Sequence, residues 1–421
     1  MLLSLKVNNC LIYNSEVEFS MKANMHYKRF PNNVATFGNV NVLKSAVLIG
    51  PNNSGKTNFV GIIKILKNLM LGHGVTIRKN LFSDNPIVEL AVSFIENNTE
   101  CLYEIKYDAS QKCFIYEKFD IIIRDKHNNV KNDNQLLRDS IEKEYHSIDS
   151  NLEEAMKVAS KNNILIYLID TDEFPILKKI KDQIVSFASK IDIVDMNNIP
   201  INKTIEMLKK SNDARQKIAN FVLNADLSLE DYKYLSDDEI RIELKKQNTE
   251  NIKPQENALK AAASISEMLH LASVYNGVMV PSLLFDSTGT KKMAALASYV
   301  IDALENGRIL VVDELDNSLH FRLTRAIIAL FNNELNVNAQ LIATVHDVSL
   351  LDCQKLFRKE QIWFTYKDKD NIFLYSLSEF TAEKDGIRDT SNLIEKYRKG
   401  MFGALPEPDL FQSLLEVKPN G

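Results

Sequence analysis

The segment Gly50-Pro51-Asn52-Asn53-Ser54-Gly55-Lys56-Thr57 limits what this chain can fold into more than any other, because it fits G-x-x-x-x-G-K-[ST]. It also stands between the two elements that such a loop requires. Before it, Ala46-Val47-Leu48-Ile49 is apolar on both faces, as befits an interior strand covered on both sides by helices. After it, Phe59, Ile62, Ile63, Ile65 and Leu66 follow helical spacing, which predicts a helix from about Lys56 to Leu71. Strand, glycine-rich turn and helix in this order aim backbone N–H groups and the positive helix end at one point, the arrangement that holds phosphate. In such a cradle Lys56 places its ammonium on the β- and γ-phosphates, Gly55 permits close backbone approach, and the Thr57 hydroxyl suits Mg²⁺. Asn52, Asn53, Ser54 and Asn58 complete the candidate nucleotide contacts.

A second element fits the same chemistry. Ile309-Leu310-Val311-Val312-Asp313-Glu314 reads as a buried strand ending in two acids. Asp313 at the strand tip suits the Mg²⁺ shell, and Glu314 beside it suits polarisation of an attacking water. Roughly 250 positions separate Lys56 from Asp313, more than one compact nucleotide fold needs, so the chain between them must leave the core and return.

The remaining pattern fills in that course. Residues 1–20 alternate apolar and polar, predicting two opening strands. From Ile87 to Ile123 three β-rich runs, broken at Asn97-Asn98 and around Ser110, read as an antiparallel meander added to the core. Leu137, Ile141, Tyr145, Ile148, Leu152 and Ala155 show three-four spacing and predict a short helical hairpin. Helices are expected around 173–190, 203–223 and 237–247. Asn276-Gly277 between two apolar runs is a type I′ hairpin signal. A helix from Lys291 to Glu305 closes at Gly307. In the final third RILVVDEL, TRAIIALFNN, AQLIATV and SLLDCQKLF alternate strand and helix, followed by a hairpin around 367–371. The expected fold is therefore α/β: a mixed-sheet core with an added antiparallel meander, interrupted by a largely helical insertion. Residues 1–125 and 266–421 form the two halves of the core and 126–265 the insertion.

Composition narrows the function classes. Lys and Arg number 51 against 56 Asp and Glu, a formal charge of -5, so any DNA contact must be a local patch rather than wrapping. Cys10, Cys101, Cys113 and Cys353 form no CxxC pair, which argues against a zinc ribbon and a secreted disulfide scaffold. No apolar run approaches the length of a membrane span, and a cytoplasmic protein is expected.

Four further segments, in chain order, make the sequence resemble ABC-type ATPase heads of the branch that includes SMC-like, RecF-like and overcoming-lysogenization-defect-like proteins. Phe285-Asp286-Ser287-Thr288-Gly289-Thr290-Lys291 is similar to the signature motif in its SGT form. Asp316, in Glu314-Leu315-Asp316-Asn317-Ser318-Leu319-His320, resembles the D-loop, and His346, after Ala343-Thr344-Val345, resembles the switch histidine. The run from Tyr397 to Pro406 is similar to the tail of ATPase subunits of bacterial anti-phage systems. The resemblance implies ATP and Mg²⁺ as ligands and Lys56, Glu314 and His346 as catalytic groups. It also implies a homodimer packed head-to-tail, with Ser287, Gly289, Thr290 and Asp316 contacting the nucleotide of the mate, and assembly to higher oligomers left open. A switch ATPase controlling a nuclease or toxin supplied in trans, within anti-phage defence or abortive infection, is the expected function. An ATP-clamped scaffold with little turnover, or a RecF-like or SMC-like DNA-repair ATPase, is the alternative, with DNA or a phage protein as further ligands and no membrane partner. The chain departs from many such heads in carrying Leu11 where they have an arginine that contacts nucleotide, and in lacking a glutamine that fits a Q-loop. Asp368-Lys369-Asp370 is a DxD in a hairpin turn, and the roughly 75 residues after His346 are too few for a Toprim nuclease domain.

Overall fold

The computed structural model describes residues 1–24, 26–125, 129–225, 229–236, 238–239, 270–351, 355–368, 371–388 and 390–405. It is an α/β protein whose chain divides into two compact units, Met1–Ile191 with Ile342–Gly421, and Asp192–Leu341.

In the first unit a seven-stranded sheet runs in the order Glu144–Ser147, Val130–Asp139, Cys113–Arg124, Thr99–Asp108, Ile87–Glu96, Leu2–Asn8, Val17–Ser20. Every neighbouring pair is antiparallel, so the expected meander and the two opening strands belong to one sheet. Period-two alternation builds its core face: Val88, Leu90, Val92 and Phe94 are buried while Glu89 and Ala91 turn outward. The helix Pro175–Ser189 closes that face, with Phe187 stacked on Phe94 at 4.2 Å between ring centroids. The same unit holds a mixed arrangement in which Ser45–Ile49 lies parallel to Ile362–Asp368, and Ile362–Asp368 lies antiparallel to Asn371–Ser376. The helix Lys56–Met70 follows the first of these strands.

The helical hairpin expected over 137–155 is not formed. Val130–Asp139 and Glu144–Ser147 are a β-hairpin, and the helix is confined to Ser150–Val158, capped by Asp149. The reason is a core position filled by a charge. Arg138 is 1% exposed and points inward beside Leu136, which conceals the strand alternation. Its guanidinium donates to Glu117 at 3.1 Å and to the carbonyls of Ser160 at 3.0 Å and Asn163 at 3.2 Å. Glu117, fully buried, also accepts from the Tyr103 hydroxyl and the Leu165 N–H, each at 2.9 Å. Burial pushes the Glu117 carboxyl above the usual range, opposed by Arg138 and these donors. The pair pins residues 160–165 to the sheet. The helix expected at SLLDCQKLF is, among the described residues, a single turn, Val348–Leu350: Asp347 caps its start by accepting from Ser349 N and Oγ, and Leu351 leaves helical geometry at ψ 62°; 352–354 lie outside the described residues.

In the second unit the helix expected over 203–223 is two, Asn202–Lys210 and Asn212–Ala225, broken at Ser211, whose hydroxyl accepts from Ala214 N at 3.1 Å. Ile205, Ile218, Val222 and Tyr232 pack with Ala294 and Ala297 of the helix Thr288–Asn306. Asn276 and Gly277 have φ of 49° and 75°, the type I′ turn expected between Leu271–Tyr275 and Val278–Pro281. The helix expected at 237–247 falls almost wholly outside the described residues. Among the described residues no helix is long and apolar enough to cross a membrane.

Replacing Arg138 with Met should strand the Glu117 carboxylate without its countercharge and lower unfolding free energy by about 3–5 kcal/mol. The double variant Arg138→Met/Glu117→Gln should recover part of that loss. Urea titration followed by near-ultraviolet circular dichroism measures both, and equal loss in the two variants would show that the cost comes from packing rather than the buried charge.

Candidate functional site

Ser45–Ile49 is buried at every residue and delivers the chain to Gly50 with no room for a side chain. A Cβ on Gly50 would run into the backbone oxygen and hydroxyl of Thr365. The loop is then locked by Ser54, 1% exposed, whose hydroxyl lies 2.6 Å from that of Thr365. Gly55 has φ 107°, and a Cβ there would lie 2.8 Å from Ile12 Cδ1. Its carbonyl accepts from the buried Tyr13 hydroxyl at 3.2 Å, and burial holds the Tyr13 phenol well above its ordinary range.

Lys56 opens the helix and is 6% exposed. Its ammonium donates to the carbonyls of Gly50 at 2.6 Å and Pro51 at 2.9 Å, so a positive charge sits inside the curl of the loop. Asn52, Asn53 and Thr57 are exposed, Asn58 is half-buried, and Asn53 takes φ 60°. The Thr57 hydroxyl is thus at the surface on the first turn of the helix. In the same unit His346 is exposed directly after the buried strand Gln340–Val345.

The second unit holds the other candidates. Ile309–Asp313 is wholly buried, with Asp313 5% exposed at its end. Glu314 then takes φ 56°, a left-handed conformation uncommon for a residue with a long side chain and frequent at functional turns. Its carboxylate is held by two amides: Asn317, inside the D-loop-like segment, and Asn197, which no sequence motif marked. Asn197 Nδ2 donates to Glu314 Oε2 at 3.0 Å, and Asn317 Nδ2 donates to the same oxygen at 3.1 Å and to Asn197 Oδ1 at 2.6 Å. Backbone pairing of Met196 N to the Asp313 carbonyl at 3.0 Å places Asn197 there.

Ser287 caps the helix Thr288–Asn306, accepting from Thr290 N at 3.1 Å with its hydroxyl 2.9 Å from that of Thr290. The helix begins three residues before the expected Lys291. Asp286, buried behind it, accepts hydroxyls from Ser273 at 2.7 Å, Tyr275 at 2.9 Å and Ser282 at 2.5 Å, which fixes the approach. The structure brings this segment to the one that carries Asp316. A Cβ on Gly289 would lie 3.0 Å from the Ser318 carbonyl, and Lys292 donates to Asn317 Oδ1 at 3.0 Å and Ser318 Oγ at 3.1 Å. Asp316 itself is half-buried. Lys292 and Thr365 carried no functional signal of their own in the sequence.

These donors fit a polyphosphate and a hard divalent cation: closely approached glycine backbone, a helix N-terminus, an ammonium, an exposed hydroxyl. Among the described residues no group of three or more His, Cys, Asp or Glu could hold a metal by protein ligands alone. Mg²⁺ is commonly held by one or two protein ligands with phosphate oxygens and water, so this donor set suits it.

The family model described as "AAA domain, putative AbiEii toxin, Type IV TA system" matches residues 45–352. Among solved structures, the chain is similar to the SMC head domain from Thermotoga maritima, at 11% identity over 89% of this chain and 98% of that one, with a TM-score of 0.43. It is also similar to an SmcHead bound to the C-winged helix domain of ScpA, at 12% identity over 90% of this chain and 99% of that one, with a TM-score of 0.47. A comparison with proteins of curated function finds no match.

Gly55→Ala should lower the thermal midpoint through two separable causes, backbone strain at φ 107° and the clash with Ile12. Adding Ile12→Ala should restore only the clash component, read by differential scanning calorimetry. Full recovery would remove backbone conformation from the account, and no recovery would remove the contact.

Proposed function

Because this chain belongs to the AAA-domain family described in those terms, a family of P-loop ATPases, we propose that it is an ATP-hydrolysing switch that dimerises around ATP and controls a separate effector protein. The observation that carries the reading is the Lys56 ammonium, curled into a loop whose two glycine positions exclude any side chain. Such a loop is built for phosphate oxygens, which would draw the ammonium off the Gly50 and Pro51 carbonyls.

The roles proposed for the chain's groups follow from their chemistry. Backbone N–H groups of Asn52 to Thr57 bind phosphate oxygens, Lys56 offsets charge on the β- and γ-phosphates, and Asn58 lies on the same first turn. Thr57 and Asp313 supply protein ligands for Mg²⁺, which when bound neutralises charge building between the β- and γ-phosphates. Glu314 accepts the proton of the attacking water, and His346 steadies the γ-phosphate. Ser287 offers an exposed hydroxyl and Gly289 a backbone N–H at a helix start, suited to the phosphate held by the mate, with Thr290 orienting the Ser287 hydroxyl and Asp316 beside them. In the setting of bacterial abortive infection the effector would be a nuclease or toxin in the cytoplasm, licensed by the nucleotide state. DNA or a phage protein would act as trigger.

A second reading, an ATP-clamped scaffold with little turnover, is favoured by one contact. Oε2 of Glu314 is occupied by two amide donors, which weakens it as a base until they release.

Three variants discriminate. Lys56→Ala should weaken ATP binding by about a hundredfold or more in calorimetry. Glu314→Gln should leave ATP binding intact and cut phosphate release by about a hundredfold or more; turnover equal to wild type would favour the scaffold. Ser287→Arg should bind ATP yet neither dimerise nor turn over, and mixing it with Lys56→Ala should restore some activity, since each would supply what the other lacks. Failure of that mixture would argue against a site shared between copies.

A further inference from the structure

Within the second unit, Met196, Ile199, Tyr232, Leu271, Leu283 and Ala295 line a cavity of about 220 Å³ that the nucleotide chemistry leaves unused. Its buried wall is mostly apolar, with the Ser282 hydroxyl tied to Asp286 at 2.5 Å, and its more exposed lining is polar, carrying Asn197, Asn198, Lys291 and Lys292. Tyr232 is 1% exposed, and burial pushes its phenol up to about 12, so it presents a neutral wall.

Size and charge select the occupant. Pockets for small metabolites run to roughly 300–1,000 Å³, so this one is undersized for them and matches a single bulky side chain, the form taken by the anchor of a protein interface. The next two residues after Leu283 strengthen that reading. Leu284 and Phe285 are 72% and 65% exposed, apolar surface on the same turn that a metabolite in the cavity would leave uncovered. The rim is cationic: among the described residues, Lys291 has no carboxylate partner, and Lys292 donates only to neutral groups of Asn317 and Ser318. An anchor flanked by carboxylates complements it.

We propose that this cavity is a docking site for a partner protein, which inserts an aromatic side chain flanked by acidic residues. The rim amide of Asn197 is the same group that donates to Glu314 at 3.0 Å, and Lys292 holds the Asn317 that does likewise. A docked anchor that moves Asn197 therefore changes the hydrogen bonding of Glu314. Only this coupling rests on the hydrolysis reading above; the docking site does not.

The test uses the full chain without nucleotide and three synthetic peptides, measured by fluorescence anisotropy. They are an acidic one with central tryptophan (acetyl-Asp-Glu-Trp-Glu-Asp-amide), its twin with lysines for the acids, and its twin with alanine for tryptophan. The acidic tryptophan peptide should bind about tenfold or more tighter than either twin. Ala295→Trp, which fills the cavity, should abolish binding, and Lys291→Glu, on the rim, should reverse the charge preference with no change in fold by circular dichroism. Absence of binding at millimolar peptide, equal affinity for all three, or binding unaffected by both variants would overturn the site. With ATP present, bound peptide should alter phosphate release by wild type and not by Asn197→Ala. Binding with unaltered release would overturn the coupling and leave the docking site standing, and a wild type that releases no phosphate without peptide or with it would place the failure in the hydrolysis reading.

Discussion

A buried ammonium held by the carbonyls of its own loop is the constraint on which the glycine-rich turn of this protein depends. Lys56 would be costly to bury without partners, and the carbonyls of Gly50 and Pro51 supply them at hydrogen-bond distance. That arrangement requires the chain to double back within six residues, which is why Gly50 abuts Thr365 and Gly55 takes φ 107° against Ile12. The loop is therefore shaped by its walls as much as by its own sequence. Ser54 on Thr365 and Tyr13 on the Gly55 carbonyl hold it in that form.

The second unit uses a different device for its acid. Glu314 leaves a buried strand in a left-handed conformation and is met by the side-chain amides of Asn197 and Asn317. Neutral donors fix the direction of a carboxylate without neutralising it, and they release it at lower cost than a lysine or arginine would. Because Asn317 is also tied to Lys292, the helix that starts at Ser287 and the acid share one hydrogen-bond network. Moving any one of these side chains therefore disturbs the others.

Much of the architecture was legible from local pattern. The strand, loop and helix around Lys56, the meander from Ile87 and the Asn276-Gly277 turn are set by residues near one another in sequence, and each forms where expected. The family match over 45–352 bears out the resemblance to P-loop ATPases linked with abortive infection. Misreadings arose where a distant partner decides. The strand Val130–Asp139 has an arginine in the core because Glu117 is across the sheet from it, and without knowledge of that partner Leu137 and Ile141 pass for a helical stripe. The break at Ser211 was likewise invisible to apolar spacing, since a single hydroxyl caps the second helix there.

By itself the sequence determined the elements whose causes are short-range: apolar periodicity, glycine at strained φ, a serine at a helix start, a lysine after a glycine. Only tertiary structure decided that Arg138 belongs inside, that Asn197 reaches Glu314, that Thr365 closes the loop around Ser54, and that Tyr232 and Ala295 wall one cavity. The physical reason is that hydrogen bonds and burial act on distance in space. The partners in these four cases are between 21 and 311 positions apart or are gathered from four separate elements, and no local pattern encodes such a meeting.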